Sequence, residues 1–467
     1  MKETRWQNKR ILVVGIGRSG YDASRVLHAL GAQVTACDVG SPPLASGLMA
    51  LGVQVLTGWQ GGLPDENYDL VVTSPGVATE SPILQEAVRE GIPVWSEVEI
   101  AYHLSRAPII GVTGTNGKST TAALISHILS TAGYRAVLCG NIAAEGMERT
   151  FTDAAFQSQP EEILVAEVSS FQLEWVHHFR PYVGVWTTLS PDHLNRHPSL
   201  EEYGSIKARL FRCQTETDFA VIPGDDALIQ SLVKTKAKYI YFALQNIDKT
   251  DVGTVWCDAH GVYFRNRGET VRLASTEQYR LYGEHNRRNL AAAVAACLPW
   301  NLAGERLEEA IATFRPLPHR MEWVAEINGV QYINNSMCTN LQAVEESLKA
   351  APVPVVLIMG GVDKSGSPFG KMVPLLREKA RSVVLIGADA ANIEKQLRTA
   401  GWEHIIRCDS LEEAVGRARD LAQPGDWVML SPGCASFDMF ANFQERGNVF
   451  RRMVHRLEGS DEPHTTG

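Results

Sequence analysis

Three α/β units are predicted for this 467-residue chain. Short apolar runs alternate with helical segments along most of its length, as in parallel sheets covered by helices. Two of the runs end in glycine-rich turns of different kinds, one beginning at Gly15 and the other at Gly111. The length exceeds one ordinary core, and 45% hydrophobic residues suffice for several.

The first unit opens with strand Ile11-Leu-Val-Val14, then Gly15-Ile-Gly17-Arg18-Ser19-Gly20, a helix from Tyr21 to Leu30, and strand Gln33-Val-Thr-Ala-Cys37 ending at Asp38. Glycines at these spacings let the backbone approach a diphosphate at a helix N-terminus, and the acid about twenty residues on suits the nucleoside end. Further strands are expected at Leu70-Val-Val-Thr73, before Ser74-Pro75-Gly76, and at Ile92-Pro-Val-Trp95, with the unit closing near Ser105.

The second unit begins with the apolar run Ala107-Pro-Ile-Ile110. Gly111-Val-Thr-Gly114-Thr115-Asn116-Gly117-Lys118-Ser119 and a helix over Thr120 to Leu129 follow. Strand, glycine turn, Lys-Ser and helix form a phosphate-binding loop, in which backbone N–H groups face the anion, Lys adds a point charge and the Ser hydroxyl can hold Mg²⁺. The strict pattern has Gly at position 112, where this chain has Val. Glu167 ends the strand Glu162-Ile-Leu-Val-Ala-Glu167, and a carboxylate beside such a loop is a second oxygen anchor for Mg²⁺. Asp192-His193 follows strand Val183-Gly-Val-Trp-Thr-Thr188. Lys207 lies in a charge-paired segment, Glu201 to Arg209, that by itself reads as a solvated helix face. A strand-rich region is expected over 218–275. Asn286 and Asn289 stand at the head of a helix reaching Cys297, placed to reach a nucleotide from one face, although capping explains one of them equally well.

Phe314-Arg-Pro316-Leu-Pro318-His319-Arg320 reads as a stiff linker, because Pro propagates neither helix nor central strand. Strands are expected beyond it at Val355-Val-Leu-Ile358, Ser382-Val-Val-Leu-Ile386 and Trp427-Val-Met-Leu430. The polar tail from Glu458 is expected to be disordered. The net charge of −9 argues against a bulk nucleic-acid or anionic-membrane surface. Eight scattered cysteines without a C-x-x-C pair, no membrane-length apolar stretch and no apolar N-terminal signal lead to the expectation of a cytoplasmic protein.

Thr113-Gly-Thr-Asn-Gly-Lys-Ser119, Gly140-Asn141-Ile, Glu167-Val-Ser169-Ser-Phe-Gln172-Leu and Asp192-His193 together resemble the Mur ligases of peptidoglycan precursor synthesis. Gly283-Glu-His-Asn286, Pro318-His319-Arg320 and Ser431-Pro-Gly-Cys-Ala-Ser436-Phe437-Asp do so too, and the matches run in order from about residue 11 to 451. Within the family the pattern is most similar to the members that add D-glutamate to UDP-N-acetylmuramoyl-L-alanine.

The resemblance implies three domains: a Rossmann-like uridine diphosphate domain (1–106), a central ATPase domain (107–316) and a Rossmann-like domain with amino-acid contacts (317–467). It implies ATP and two Mg²⁺ ions as cofactors, UDP-N-acetylmuramoyl-L-alanine and D-glutamate as substrates, and a monomer. Gly15, Gly17, Arg18, Ser19, Gly20, Asp38, Ser74, Pro75, Gly76, Asn141, Ser169 and Gln172 would bind the uridine substrate. Gly114 through Thr120, Asn286, Asn289, Arg320 and Asn335 would contact ATP. Ser119 and Glu167 would hold one ion, His193 and a carbamylated Lys207 the other, with Lys118, His193 and Lys207 catalytic. Thr339, Lys364, Ser436, Phe437 and Phe443 would line the glutamate site.

One segment departs from the family. Asn334-Asn335-Ser336-Met337-Cys338-Thr339-Asn340 stands where these enzymes usually read Asn-Asp-Ser-Lys-Ala-Thr-Asn. Losing an acid and a lysine together leaves the local net charge unchanged, and an active ligase is still expected. The alternatives are a ligase for another amino acid and a nucleotide-binding homologue without activity. An NAD-dependent oxidoreductase would leave Lys118-Ser119, Glu167 and the third unit without a role. Lys118→Ala is expected to abolish turnover while leaving the fold intact, through a loss of several kcal/mol of transition-state stabilisation. Phosphate release and circular dichroism check the two halves of that expectation.

Overall fold

Aliphatic runs build a first sheet from β1 (Arg10–Val14), β2 (Gln33–Asp38), β3 (Gln54–Thr57), β4 (Leu70–Thr73) and β5 (Val94–Ser96). The order is β3-β2-β1-β4-β5 and every pairing is parallel, so the sheet is doubly wound and its glycine turn sits at the carboxyl edge. The computed structural model describes residues 5–65, 67–142, 149–192, 196–249, 251–364 and 366–460.

The second sheet comprises β6 (Ile109–Thr113), β7 (Arg135–Gly140), β8 (Glu162–Glu167), β9 (Val183–Trp186), β10 (Phe219–Pro223), β11 (Lys238–Ala243), β12 (Gly253–Cys257), β13 (Gly261–Asn266) and β14 (Glu269–Ser275). Its order is β14-β13-β12-β11-β10-β9-β6-β8-β7. The strands from β7 to β12 are parallel, and β13 and β14 add an antiparallel edge. Near-continuous apolar strands such as Ile109–Thr113 and Val183–Trp186 are buried along their length, as a sheet covered on both faces requires.

These two sheets form one unit (1–279 and 287–314). The third sheet lies in a second unit (280–286 and 315–467). It comprises β15 (Glu322–Ile327), β16 (Val330–Asn334), β17 (Val355–Gly360), β18 (Ala380–Ile386), β19 (Ile405–Arg407) and β20 (Trp427–Leu430), ordered β15-β16-β20-β17-β18-β19. Only β15 pairs antiparallel, through a hairpin turned by Asn328-Gly329.

The differences from expectation have local causes. The helix expected from Tyr21 starts at Arg18, because Gly17 is already extended and acts as N-cap; Arg18, Ser19 and Gly20 make the first turn. The strand expected at Ile92–Trp95 is Val94–Ser96, since Pro93 has no N–H for the ladder. The strand expected to reach Thr188 ends at Trp186, where Thr187 and Thr188 turn to bond the glycine loop. The C-terminal helix Phe443–Ser460 runs through residues expected to be disordered. Residues 461–467 lie outside the described range.

Glu99, on the helix Glu97–Leu104, fastens the first sheet to the second. Its carboxylate accepts the backbone N–H groups of His177 (2.9 Å), His178 (2.8 Å) and Phe179 (3.0 Å), and the His178 ring at 2.9 Å. Burial alone would raise its pKa, but hydrogen bonds from His103 and the backbone outweigh that and bring it down to about 2. The stability this contributes is fully present above the ordinary carboxylate range and is lost as pH falls towards 2. Glu99→Ala orphans three backbone donors at once and is expected to lower stability by about 3 kcal/mol or more at neutral pH, read from urea unfolding.

Candidate active site

Strand β6 delivers the chain into Gly114, and Gly117, with φ +82°, caps the helix Lys118–Thr131. A Cβ at Gly117 would lie 2.3 Å from Asn289 Oδ1, so this position requires both the left-handed backbone and the missing side chain. The loop is braced from the strand beside it. Thr188 Oγ1 accepts the Asn116 N–H at 2.9 Å, Thr187 Oγ1 donates to the Asn116 carbonyl at 2.5 Å, and the Thr115 N–H reaches the Thr188 carbonyl. Lys118 Nζ donates to the Thr115 carbonyl at 2.9 Å. Asn289 is buried against this loop and its Oδ1 lies 3.4 Å from Thr121 Oγ1.

Glu167 ends β8 beside the loop, because β8 is the parallel neighbour of β6. Ser119 Oγ donates to Glu167 Oε2 at 2.5 Å, and Asn141 Nδ2 lies 3.4 Å from Oε1. The hydroxyl and carboxylate form a hard-oxygen pair at a phosphate loop, a donor set suited to Mg²⁺. Lys207 is buried, against the bland reading of its segment. Its Nζ donates to the Gly114 carbonyl at 2.8 Å and sits 4.4 Å from the centre of the Tyr203 ring. Burial, joined by the charge of Lys118, pushes its pKa well below the ordinary lysine value, against opposing pulls from Asp192 and Glu167. His193 lies outside the described residues.

The uridine residues fall into two groups. Gly15, Gly17, Arg18, Ser19, Asp38, Ser74, Pro75 and Gly76 line one cavity of about 620 Å³ at the carboxyl edge of the first sheet. Asp38 fixes the cavity wall by accepting the N–H groups of Ile16 and Gly40, both at 2.8 Å. Gly20 does not line the cavity: a Cβ there would sit 1.8 Å from the Gly15 carbonyl oxygen, so it serves close packing beneath the turn. Asn141, Ser169 and Gln172 cluster at the carboxyl end of β8 instead. Ser169 and Gln172 form a reciprocal capping box, and Gln172 Nε2 donates to Glu97 Oε1 at 2.8 Å. Gln172 is thus occupied within the protein. Its partner Glu97, which no motif singles out, is fully buried, and burial raises its pKa to about 7.

The second unit holds the remaining candidates. Asn286 Nδ2 donates to the Tyr282 carbonyl at 2.8 Å, a local contact at the helix start. Lys364 Nζ stands 4.5 Å from the centre of the Phe437 ring, which is 64% exposed, while Ser436 beside it is buried. Thr339 is exposed, and the Phe443 carbonyl accepts from Ser336 Oγ at 2.7 Å. The Arg320 N–H donates to the Leu317 carbonyl. His319 is buried with φ +64°, its Nδ1 3.0 Å from Asn334 Nδ2. Arg446, given no role by its position in a motif, is buried and donates to Ser336 Oγ (3.1 Å), the Ser336 carbonyl (2.9 Å) and the Cys434 carbonyl (3.1 Å). Burial lowers its pKa to about 10.

Residues 9–96 match the family described as Mur ligase MurD-like, N-terminal domain, residues 112–297 the Mur ligase middle domain, and residues 319–434 the Mur ligase, glutamate ligase domain. The chain belongs to the Mur ligase family. A UDP-N-acetylmuramoylalanine–D-glutamate ligase of Pelotomaculum thermopropionicum is 41% identical over 96% of this chain and 98% of its own. One of the same name from Geobacillus kaustophilus is 38% identical over 98% and 100%. The fold matches a UDP-N-acetylmuramate-alanine ligase from Thermotoga maritima (TM-score 0.59, 19% identity, 97% and 99% covered). It also matches a MurF ligase from Thermotoga maritima in complex with ADP (TM-score 0.57, 14% identity, 97% of each).

For this Mur ligase the departure at Asn335 acquires a physical reason. The amide is buried, and Nδ2 donates to Ser347 Oγ (2.7 Å) and Ser431 Oγ (3.2 Å), while Oδ1 accepts the Met321 N–H at 3.1 Å. Ser347 Oγ already donates to the Ala343 carbonyl at 2.6 Å, so toward position 335 it can only accept, a match for the Asn amide and not for an ionised Asp. Met337 is only half-buried and donates its backbone N–H to the His319 carbonyl. Asn335→Asp alone is expected to destabilise the protein by about 1–3 kcal/mol. Thermal melting measures that loss, and kcat/KM for the single changes and their combination with Met337→Lys measures the coupling.

Proposed function

We infer that this chain is an ATP-dependent ligase that joins D-glutamate to UDP-N-acetylmuramoyl-L-alanine. The reading is carried by the Glu167 carboxylate between Ser119 and Asn141 at a phosphate loop, with the buried Lys207 amine bonded to the Gly114 carbonyl of the same loop. The substrate carboxylate attacks the γ-phosphorus of ATP and the bond to ADP breaks, giving an acyl phosphate. The uncharged amine of D-glutamate then attacks the acyl carbon. The tetrahedral intermediate collapses with loss of inorganic phosphate and of the amine proton.

In this reading the loop from Gly114 to Thr120 cradles the triphosphate, Lys118 steadies its outer phosphates, and Asn289 packs the loop. Asn286 and Arg320 are proposed nucleotide contacts; Asn335, expected from the resemblance to be one, has its amide engaged by Ser347, Ser431 and Met321, and is proposed to act through the fold of its loop instead. Asn141 orients the muramoyl part, supported by Ser169 and Gln172. Thr339, Lys364, Ser436, Phe437 and Phe443 are proposed to receive D-glutamate. Ser119 and Glu167 would hold one Mg²⁺, and His193 with a carbamylated Lys207 the second. Bound there, Mg²⁺ offsets phosphate charge. Lys207 suits carbamylation because its depressed pKa favours the neutral amine, the form that adds to carbon dioxide with release of a proton.

We further propose domains at 1–106, 107–316 and 317–467 and a cytoplasmic monomer. Among the described residues no helix is long and apolar enough to cross a membrane.

Phosphate release with UDP-N-acetylmuramoyl-L-alanine and a panel of D- and L-amino acids tests the activity. Release that depends on both the uridine substrate and D-glutamate is expected. Selectivity for another amino acid, or none at all, would overturn the assignment. Lys207→Ala is expected to be nearly inactive and partly restored by short carboxylic acids. Ordinary activity in that variant would remove the carbamate from the account.

A further inference from the structure

The helix Glu97–Leu104 carries Glu99 and His103 four residues apart, a spacing that puts them on one face. The segment 177–179, tied to Glu99 through its backbone, brings in His178. His103 Nε2 lies 3.4 Å from Glu99 Oε1, and His178 Nδ1 lies 2.9 Å from the same oxygen. All three atoms fall within 4.8 Å of one another. A tetrahedral ion with bonds of about 2.0–2.1 Å holds its ligand atoms roughly 3.3 Å apart.

Two features separate this cluster from an ordinary buried ion pair. His103 Nε2 is buried, and its long contact with Glu99 is too poorly directed to satisfy it. The ligands are also held from outside. Backbone N–H groups fix the Glu99 carboxylate, and the His103 ring stacks on Trp95 with centroids 4.9 Å apart and planes 27° from parallel. Such outer contacts orient the ligands of a metal. His178, with a side chain 63% exposed, leaves an entry path and is free to close the geometry. Arg5 opposes the arrangement: its Nη1 lies 2.9 Å from His103 Nδ1, which accepts while Nε2 carries the proton. Metal on Nε2 moves that proton to Nδ1, where two donors would meet, so the exposed Arg5 side chain must swing out.

We propose that Glu99, His103 and His178 form a site for a borderline divalent ion such as Zn²⁺, with solvent as fourth ligand, that clamps the helix Glu97–Leu104 to the segment before β9. Two imidazoles and one carboxylate suit such an ion better than Mg²⁺, which prefers oxygen throughout. The segment 177–179 leads to the amino end of β9, whereas the phosphate loop leaves the carboxyl end of β6, its parallel neighbour. The site is therefore apart from the nucleotide machinery and stands independently of the ligase reading.

The test is calorimetric titration of ZnCl₂ into the full-length protein, stripped of metal by a chelator and held in excess Mg²⁺ to fill hard-oxygen sites. Zinc is expected to bind wild type and to raise its thermal midpoint, because the site exists only in the folded chain. His103→Phe keeps a ring on Trp95, and His178→Ala changes a mostly exposed side chain. Each is expected to weaken zinc binding at least about tenfold and to lose the rise in midpoint. Arg5→Ala, with no guanidinium to displace, is expected to bind zinc at least as tightly as wild type. The proposal is overturned if wild type does not bind zinc, if either histidine variant keeps wild-type affinity, or if Arg5→Ala binds more weakly.

Discussion

The contact between Lys207 and the Gly114 carbonyl constrains the rest of the central site. A lysine with 1% exposure loses its hydration, so its charge is disfavoured and its nitrogen must find a partner inside the protein. That partner is the first carbonyl of the phosphate loop. Packing of the helix Leu200–Ala208 and the path of the loop are therefore set together. On the other side, β9 and its following threonines brace the same loop, and β8 brings Glu167 to Ser119. Three parallel strands and one buried amine thus converge on a single turn. This is the ordinary advantage of the carboxyl edge of a parallel sheet, where side chains distant in sequence meet without long loops.

Much of this was legible in the sequence because the responsible residues obey strong local rules. Leu70–Thr73, Glu162–Glu167 and Trp427–Leu430 are apolar runs bounded by turn residues, and each forms the strand expected of it. Both glycine turns announce their helices, with errors of two or three residues at the start, since an N-cap glycine looks like loop until its backbone is seen. The hairpin of β15 and β16 is not among the strands expected from the sequence, although Asn328-Gly329 is a strong two-residue turn signal between them. β7 and β19 leave little trace in the sequence, because Arg135–Gly140 and Ile405–Arg407 are short and partly exposed and carry little periodicity.

The site divides in the same way. Backbone-driven parts such as Gly114 to Ser119 are readable, because loop chemistry is local. Lys207 is not readable from its neighbours, whose charges describe the other face of its helix; only the family resemblance pointed to it. Glu97, Glu99 and Arg446 lie deeper still. Each is a charged or ionisable residue inside a core, and its partners are backbone or amide groups far away in sequence. Such pairings leave no spacing to count. Asn335 is the reverse case, since its departure from the usual acid was visible at once, while its cause depended on where Ser347 sends its proton.

The strand order of the third sheet bears on how the chain is made. The hairpin of β15 and β16 is synthesised first, yet its neighbour in the sheet is β20, the last strand to be made. Arg446, on the final helix, then supplies the bonds that secure Ser336 just after β16. While the chain is still being translated, the hairpin has no edge to join and the Ser336 loop has no guanidinium to hold it. Domains with cores completed early can settle on the ribosome; this one must wait for its C-terminal helix, so a chain cut short before Arg446 would build its first two sheets and leave the Ser336 loop of the third unsecured.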